Sequence, residues 1–433
     1  MKSEKYGIEI PEILLPTKVD VAKWSVIACD QYTQDAAYWK KAAEIVGSEP
    51  STLNLIFPEV YLDDSGKDER IQKIHAAMEQ YIADGVFAAG EKEAMYVERT
   101  VKNGKKRAGL VVAVDLDAYD WTSKSRALIR ATEATIPERI PPRKAIRDGA
   151  ALESPHIMLL VNDKARALVE ETGRIAKMDG ETAYDGDFML SGGHISGWKV
   201  KSERAKHQLF TALESVKTAN TAADGSVFMF AVGDGNHSLA TAKAVWEDFK
   251  AKNPGVTDHP LRYALAEIVN IYDDALDFKP IHRVLFGADT QKLLSFLQKE
   301  LGGTLSVGLP ESEMQNAVNT TANGANFGFS YRADGALSHA VLSSSIAELA
   351  VSRLQPALDA FLRENPAVKI DYIHGEDELF RLAHEGALSI FLPPIQKDGF
   401  FATIVSTGTL PRKSFSMGEA DEKRFYLECR ALR

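Results

Sequence analysis

At one point of the chain the pattern of hydrophobic and polar residues changes from that of a strand to that of a helix. This change predicts a strand, a turn and a helix in succession. The run 227–232 is continuously apolar, which is typical of a buried strand. Gly233-Asp-Gly-Asn-His237 interrupts this run, and apolar residues then recur at helical spacing from Leu239 to Phe249. When a glycine-containing turn joins a strand to a helix, the unpaired backbone N–H groups at the helix N-terminus lie together and favour the binding of an anion. We interpret this turn as a phosphate-handling site.

The candidate contacts of this turn are Gly233, Asp234, Gly235, Asn236, His237 and Ser238. Such residues also precede many helices as ordinary caps, with Ser238 as the capping side chain, so capping remains an alternative. The chain has no G-x-x-x-x-G-K-[ST] motif, which excludes a Walker phosphate loop. The turn lacks the third glycine of a dinucleotide-binding fingerprint, and no acidic residue follows about twenty positions later.

A second polar region, residues 126–162, concentrates arginines among prolines and glutamates. Its relevant members are Arg130, Arg139, Arg143, Arg147, Glu133, Glu138, Pro137, Pro141 and Pro142. The prolines interrupt a continuous helix and predict a rigid loop that presents the arginines. One guanidinium group can donate two parallel hydrogen bonds to two phosphate oxygens, so Arg130 and Arg143 are candidate phosphate contacts. Surface salt bridges are the alternative. The run 157–161 then predicts a strand with His156 at its entrance.

Two other segments add candidates near the turn. The short apolar run 24–29 predicts a strand that ends at Asp30, where a side chain leaves the sheet and can enter a site. Helix capping is the alternative role for the polar residues after this run. Residues 176–200 are polar and rich in glycine, and they predict a mobile lid with His194 and Trp198 at its tip. A simple connection is the alternative for that loop.

The hydrophobic pattern in the rest of the chain predicts a hairpin and two domains. Alternating runs at 94–101 and 108–116 flank an Asn-Gly pair, which predicts a β-hairpin. Beyond residue 286 the composition changes, with Gly, Asn and Ser concentrated at 302–325 and no cluster of charged candidates, and we predict a smaller α+β domain at 287–395. The core domain is predicted to combine residues 1–286 with residues 396–433.

Two short basic segments supply further candidate anion contacts. His282 and Arg283 follow a proline at an element boundary, where side chains are fixed rather than solvated. Arg412, Lys413 and Ser414 form a basic loop that ends in a hydroxyl group. Both segments lie far along the chain from the turn, so we expect the fold to bring them to it.

Composition narrows the class of protein. A length of 433 residues predicts about two to three domains. The formal net charge of −10 argues against broad nucleic-acid binding, which needs a basic surface. Cys29 and Cys429 lie at opposite ends without metal-binding spacing, which fits a reducing compartment. Without a signal-like segment or an apolar run of about eighteen residues, we expect a soluble cytoplasmic protein that spans no membrane.

The separated motifs together resemble a known family. Residues 234–238 (DGNHS) are similar to the Asp-Gly-His-His-Arg signature of a widespread bacterial domain-of-unknown-function family. The similarity continues at 130–135 (RATEAT), 280–283 (PIHR) and 410–414 (LPRKS), and 28–30 (ACD) replaces the usual Pro-Tyr-Asp. It covers nearly the whole chain. Three further positions depart from the pattern: Asn236 replaces the first histidine, Ser238 replaces the arginine, and Ile281 stands where threonine is favoured.

The resemblance implies a mixed α/β fold with a ParB/sulfiredoxin-like core, insertions and a smaller α+β domain. It also implies that the Asp-Gly-x-His turn holds phosphate. Some members of the family are kinases of free L-serine that use pyrophosphate, and related serine kinases use ADP. We therefore expect an enzyme that phosphorylates the hydroxyl of a small metabolite, free L-serine, from pyrophosphate or a nucleotide. A non-catalytic sensor of phosphometabolites or nucleotides is the alternative, and the missing arginine favours it.

The mechanistic hypothesis assigns a role to each candidate. The donor phosphates are expected to contact the turn and these basic or hydroxyl side chains: Arg130, Arg143, His282, Arg283, Arg412, Lys413 and Ser414. Glu133 or Asp30 is expected to accept the proton of the acceptor hydroxyl, and His237 to contact the transferred group. Mg²⁺ is expected to bridge phosphate oxygens beside Asp234. The expected partner is a small molecule, and no particular oligomeric state is predicted.

Overall fold

The chain divides into two compact units. The computed structural model describes residues 3–17, 19–101, 104–321 and 324–433. Unit 1 is Met1–Leu276 with Gly418–Arg433, and unit 2 is Asp277–Met417. These boundaries differ from the predicted 287 and 395, because strand residues 278–280 pair with 415–417. That pairing lies inside unit 2 and adds both flanking segments to it.

Helices and strands alternate along the described residues. The helices are α1 (Val21–Trp24), α2 (Ala36–Val46), α3 (Lys67–Ala83), α4 (Ile140–Arg147), α5 (Thr172–Asp179), α6 (Glu203–Ala219), α7 (Asn236–Lys252), α8 (Thr290–Leu301), α9 (Glu311–Asn319), α10 (Ala350–Glu364), α11 (Glu376–His384) and α12 (Lys397–Thr407). The strands before unit 2 are β1 (Ile8–Glu9), β2 (Glu12–Ile13), β3 (Glu91–Lys92), β4 (Ala94–Thr100), β5 (Lys106–Asp115), β6 (Tyr119–Asp120), β7 (Ile129–Ala131), β8 (Leu152–Glu153), β9 (Met158–Val161), β10 (Thr182–Asp187), β11 (His194–Val200), β12 (Phe230–Asp234) and β13 (Tyr263–Asn270). Unit 2 contains β14 (Phe278–Pro280), β15 (His282–Phe286), β16 (Thr304–Leu309), β17 (Ala325–Ala333), β18 (Ala336–Ser344), β19 (Lys369–Ile373), β20 (Leu388–Phe391) and β21 (Phe415–Met417), after which β22 (Arg430–Ala431) returns to unit 1.

A mixed ten-stranded sheet forms the centre of unit 1. Its order is β10-β11-β4-β5-β13-β9-β12-β7-β6, and β1 pairs with β5. Strand β12 runs parallel to β7 and antiparallel to β9. The carboxyl ends of β7 and β12 therefore meet the amino end of β9 at one edge of the sheet, and the segments joined there can share a site.

Both faces of the central strands of this sheet are buried. In β5, Leu110, Val112 and Val114 pack into one apolar cluster, whereas Val111 and Ala113 pack into another. This alternation follows because successive side chains of a strand point to opposite faces. Helices α6 and α7 cover the first face, and α2 and α3 cover the second. Burial on both faces explains why these strands are nearly continuous apolar runs.

Unit 2 is built on a six-stranded sheet in the order β16-β18-β17-β20-β15-β19. All of its pairs are antiparallel. Helices α8 and α10 pack on one apolar cluster, and α9 and α11 pack on another. The mixed α/β class predicted from the sequence is confirmed. Across the residues that the structure describes, the helices are too short or too polar to cross a bilayer.

Two predictions about segments beside the turn are wrong. Residues 140–147 form helix α4 rather than a loop, because Pro141 and Pro142 occupy the first turn, where a helix needs no N–H donor. Residues 176–200 do not form a lid, since most of them belong to β10 and β11, which pair antiparallel. Strand β11 also pairs with β4, so its polar residues belong to a sheet and not to a loop.

Two strand predictions have different outcomes. The run 24–29 is not a strand: Trp24 ends α1, and Ile27 forms only an isolated bridge with Phe425. The hairpin prediction is confirmed by the antiparallel pairing of β4 with β5. Its predicted turn residues 102 and 103 lie outside the described residues.

Candidate functional site

The candidate site is built on the turn between β12 and α7. Strand β12 ends at Asp234, Gly235 has a φ of +82°, and α7 begins at Asn236. A Cβ atom on Gly235 would lie 3.1 Å from the Cα of Ile157, so glycine is required both by its φ and by this close approach. No described side chain caps α7, and the first N–H groups of a helix have no intrahelical acceptor. The turn therefore presents backbone donors at the positive end of a helix dipole.

Ser238 does not cap α7, contrary to the prediction, because it lies inside the first helical turn. Its Oγ lies 3.1 Å from Nε2 of His156, whose side chain is buried. The Nδ1 atom of His156 lies 2.7 Å from the hydroxyl of Tyr426. The Oδ2 atom of Asp30 lies 3.7 Å from His156 Nε2. These four side chains form one polar cluster beside the turn.

Asp30 is held in its ionised form. Burial opposes ionisation, but the charge that His156 carries when protonated, a hydrogen bond from Gln31 and the charge of Lys423 together hold the pKa of Asp30 below its ordinary value. The Nε2 atom of Gln31 donates to Oδ1 of Asp30 at 3.0 Å. A charged carboxylate in this cluster is available to accept a proton.

Lys423 brings a positive charge to the turn. Its Nζ lies 3.4 Å from Oδ2 of Asp234, and their side chains are 13% and 18% exposed. Two buried arginines hold the backbone of this segment: Arg99 donates to the carbonyl of Lys423, and Arg107 donates to that of Glu422 at 2.7 Å. Burial and then the charge of Arg107 lower the pKa of Arg99 to about 9. The ammonium group of Lys423 is thus carried by a fixed segment.

A cavity of about 150 Å³ lies beside the polar cluster, and Ser238, His156 and Tyr426 line it. Arg143 and Glu59 also line it and form an ion pair with side chains that are 16% and 17% exposed. Sites for drug-sized ligands enclose roughly 300–1,000 Å³. The smaller volume suits a metabolite of few non-hydrogen atoms.

Glu133 and His237 lie at the same edge of the sheet. Glu133 follows β7, and Thr132 fixes this segment because its hydroxyl donates to the carbonyl of Val232 in β12 at 2.7 Å. The Nε2 atom of His237 accepts a hydrogen bond from the N–H of Ile136 at 3.2 Å. The segment that carries Glu133 therefore contacts the first turn of α7.

Arg130 is not brought to this turn. Its guanidinium donates to the carbonyl of Ala127 at 2.8 Å and to that of Val227 at 3.2 Å. Both carbonyls precede β7 and β12, whereas the turn follows β12. The side chain also lies over the ring of Phe228, 4.4 Å from its centroid. Arg130 thus stabilises the opposite end of the two strands.

The five remaining candidates, His282, Arg283, Arg412, Lys413 and Ser414, lie in unit 2. His282 is buried, and its Nδ1 accepts a hydrogen bond from the N–H of Leu392 at 3.1 Å. Burial and then the charge of Arg283 lower the pKa of His282 to about 4. Arg283 is fully buried and donates to the carbonyl of Lys413 at 3.0 Å. Arg412 and Lys413 have exposed side chains, and Ser414 is buried. Unit 2 thus brings its two basic segments together.

The turn has one feature that fits Mg²⁺. The Oδ2 atom of Asp234 is buried and accepts no hydrogen bond from the residues that the structure describes, although the Lys423 ammonium group lies 3.4 Å from it. No cluster of three metal-ligating side chains occurs among those residues. Mg²⁺ usually takes one or two carboxylates and completes its shell with water and substrate phosphate. Asp234 therefore fits a metal that is held mainly by a phosphate donor.

Sequence reasoning missed Lys423, Tyr426 and Glu59, and it assigned no chemistry to His156. Lys423 and Tyr426 come from the end of the chain, in a segment with no motif of its own, so only tertiary contacts bring them to the turn. His156 did have a sequence signal, because a polar ring directly before a buried strand lies at a sheet edge. The acidic residue Glu59 follows a proline in a short loop and gave no signal.

Comparison with known proteins gives one family match and several weak structural similarities. Residues 13–361 match a family described as "Protein of unknown function (DUF1015)". No curated protein matches the sequence. A free serine kinase in complex with AMP is similar at 11% identity and a TM-score of 0.35, over 75% of this chain and 91% of that chain.

Two other solved structures have the same degree of similarity. A conserved hypothetical protein from Pyrococcus furiosus shares 10% identity with a TM-score of 0.35, over 75% of this chain and 95% of its own. SbnI with a C-terminal truncation, from Staphylococcus aureus, shares 12% identity with a TM-score of 0.34, over 73% of this chain and 82% of its own. With TM-scores below 0.5, these similarities support no function for this chain.

Proposed function

The chain belongs to the DUF1015 family of unknown function, and we propose that it is a phosphotransferase acting on the hydroxyl of a small metabolite. The proposed donor is pyrophosphate or a nucleotide, and the proposed acceptor is free L-serine. The motif resemblance suggests this reaction, and the geometry of the β12–α7 turn supports it. The proposal uses the residues of unit 1 only.

The observation that carries the proposal is a helix start without a side-chain cap beside a fixed ammonium group. Helix α7 has no capping side chain, and Lys423 Nζ lies 3.4 Å from Asp234 in the same turn. Backbone N–H groups at a helix start and an ammonium group both favour phosphate oxygens. They occur together in a chain whose formal net charge is −10, which otherwise repels a polyanion. We infer that this turn binds the donor phosphates.

The proposed acceptor site is the neighbouring cavity. The guanidinium of Arg143 suits the carboxylate of an amino acid, and the carboxylate of Glu59 suits its ammonium group. An amino acid bound in this way replaces an existing ion pair with two new ones, so neither protein charge is left unpaired. The small volume favours a short side chain such as that of serine.

Asp30 is the proposed base for the acceptor hydroxyl, with Glu133 as the alternative. The lowered pKa of Asp30 keeps it ionised at neutral pH, as a proton acceptor must be. The proton of the hydroxyl leaves late in phosphoryl transfer, so positioning and charge neutralisation contribute more than base strength. Asp234 would hold Mg²⁺, which would supply charge neutralisation at the phosphate oxygens. His237 would contact the transferred group.

Product analysis with three donors tests the proposal. The full chain is incubated with L-serine, Mg²⁺ and either pyrophosphate, ADP or ATP, and phosphoserine is measured by mass spectrometry. We expect turnover with at least one donor. If none of the three donors yields phosphoserine above the background without enzyme, the proposal fails for this acceptor.

A sensor that binds phosphometabolites or nucleotides without catalysis is the second candidate. The observation that favours it is Ser238, which stands where the resembling family has an arginine and hydrogen-bonds His156. Loss of that arginine removes one phosphate contact. Ligand-dependent melting separates the two functions: stabilisation by pyrophosphate or a nucleotide without turnover supports the sensor.

A further inference from the structure

We propose that the phosphoryl group passes through Ser238, which forms a phosphoserine enzyme intermediate during the reaction. This inference rests on the proposed phosphotransferase function and specifies its route. Ser238 is a position at which this chain departs from the family signature, which has an arginine there. The hydroxyl lies in the first turn of α7, beside both the donor turn and the acceptor cavity.

Ser238 has the surroundings of an activated nucleophile. Its Oγ lies 3.1 Å from Nε2 of His156, which is within proton-transfer distance. His156 is only 5% exposed, so the ring is shielded from competing water. A third group orients the ring, because the Tyr426 hydroxyl lies 2.7 Å from Nδ1. Nucleophile, base and orienting group in this order are typical of covalent catalysis.

The hydrogen bonds of Tyr426 favour the tautomer of His156 that acts as a base. The Tyr426 oxygen accepts a hydrogen bond from the backbone N–H of Cys29 at 3.2 Å and lies 2.7 Å from Nδ1 of His156. A phenolic oxygen has more than one lone pair, so it can also accept the proton that Nδ1 carries in the neutral ring. Nε2 then keeps its lone pair toward Ser238. Tyr426 is thus a positioning residue.

In the first step, Oγ of Ser238 attacks the terminal phosphorus of the donor. The new Oγ–P bond forms as the bond from that phosphorus to the bridging oxygen breaks, which releases inorganic phosphate from pyrophosphate. The serine proton moves to Nε2 of His156. The carboxylate of Asp30, 3.7 Å from Nε2, stabilises the imidazolium that results.

In the second step, the acceptor hydroxyl attacks the phosphorus on Ser238. The acceptor O–P bond forms, the Oγ–P bond breaks, and His156 returns its proton to Oγ. The proton of the acceptor moves to the carboxylate of Asp30 and from there to solvent. Both steps use the same positive turn, which holds the phosphate oxygens throughout.

The test traps the intermediate in the full wild-type chain. The protein is incubated with radiolabelled pyrophosphate and Mg²⁺ without an acceptor, quenched in acid, and mapped by peptide mass spectrometry. L-Serine is then added to a parallel sample, and labelled phosphoserine is measured. We expect label on Ser238 that disappears as labelled product forms.

Three variants sharpen the test. Ser238→Ala should abolish the label, and His156→Asn should slow labelling about 100-fold while it keeps the nucleophile. Ser215→Ala is the matched control, because Ser215 is an exposed serine on α6 whose hydroxyl bonds only the carbonyl of Thr211 among the contacts described. The control should label at the wild-type rate.

The outcomes separate the intermediate from the reaction itself. Phosphoserine product without label on Ser238, together with a Ser238→Ala rate within threefold of wild type, overturns the intermediate and leaves the proposed function standing. Label that does not leave Ser238 when L-serine is added also overturns it. Neither label nor product with pyrophosphate, ADP or ATP overturns both proposals.

Discussion

At the scale of single residues, Lys423 acts through its charge. Its Nζ lies 3.4 Å from Asp234, and its charge also lowers the pKa of Asp30. Lys423→Met keeps most of the length of the side chain but removes one charge-assisted contact to phosphate, which is worth about 1.5–3 kcal/mol. We predict that the apparent KM for the phosphate donor rises about 10-fold or more.

The control is Lys201→Met, because Lys201 pairs with Glu181 at 2.6 Å on the surface. It should leave the donor KM unchanged. Initial rates over a series of donor concentrations measure both variants. Equal KM values for Lys423→Met and wild type would remove Lys423 from the donor site.

His237 is predicted to act on the transferred group itself. Its position in the first turn of α7 places the ring beside the helix start that we assign to phosphate. Because Nε2 accepts from the N–H of Ile136, the donor is the N–H of Nδ1, and His237→Ala should lower kcat by about 100-fold, the usual effect of removing a donor to developing charge. His207→Ala, an exposed histidine on α6, is the control. A kcat within threefold of wild type for His237→Ala would contradict this role.

His282 makes the stability of unit 2 depend on pH. Its pKa is about 4 in the folded chain and 6.5 when unperturbed, so between these values the unfolded chain binds the additional proton. The contribution to stability is complete above pH 6.5 and is lost progressively as the pH falls toward 4. Between pH 7 and pH 5 the expected loss is about 2 kcal/mol.

His282→Asn tests this dependence, because the asparagine carbonyl can replace Nδ1 as the acceptor for Leu392. Urea unfolding at pH 7 and pH 5, followed by circular dichroism, measures the difference for each variant. The His282→Asn difference should be about 2 kcal/mol smaller than that of wild type. His384→Asn, an exposed histidine, should behave as wild type. Equal pH dependence in both variants would contradict the assignment.

At the scale of elements, the start of α7 depends on Gly235. A non-glycine residue at positive φ costs about 1–2 kcal/mol. A Cβ at this position would also meet the Ile157 side chain at 3.0 Å, which adds strain and displaces the turn. Gly235→Ala should therefore lower both stability and the transfer rate.

Gly225→Ala is the matched control, because Gly225 has a φ of +78° and a Cβ atom added there would meet nothing within 4 Å. Gly225→Ala should lose only the stability that a non-glycine residue at positive φ costs, and it should keep the wild-type transfer rate. Thermal unfolding and initial rates measure both variants. Equal stability losses in the two variants would show that the approach of Ile157 is unimportant.

The spacing of apolar residues predicted helices and strands correctly where burial alone determines which of the two forms. Strand β12 and helix α7 follow from the apolar run 227–232 and from the helical spacing between Leu239 and Phe249. The pattern failed at α4, because prolines are read as helix breakers unless the start of the helix is known. It failed at β10 and β11 because a glycine-rich strand pair has no apolar signature and is ordered by pairing with β4.

At the scale of the whole molecule, the sequence predicted the family and the mixed α/β class, whereas the site residues stay a prediction. Asp30 and Arg143 lie near the turn, through His156 and the cavity that Ser238 lines, and Glu133 follows β7, which runs parallel to β12. Arg130 lies at the opposite end of its strand, since neighbours in sequence can leave a sheet at different edges. Lys423 and Tyr426 reach the turn through contacts between distant parts of the chain, which no local pattern encodes.

The central claim is that the first turn of α7 binds a phosphate donor, and amide hydrogen exchange with pyrophosphate and Mg²⁺ tests it most directly. The N–H groups of residues 236–238 lie in the first turn of α7, where the helix itself supplies no acceptor, so a bound phosphate that accepts their hydrogen bonds slows their exchange. We predict severalfold slower exchange at 236–238 on saturation with pyrophosphate, and no such slowing in Gly235→Ala. Unchanged exchange at 236–238 in the saturated wild-type chain would contradict the account.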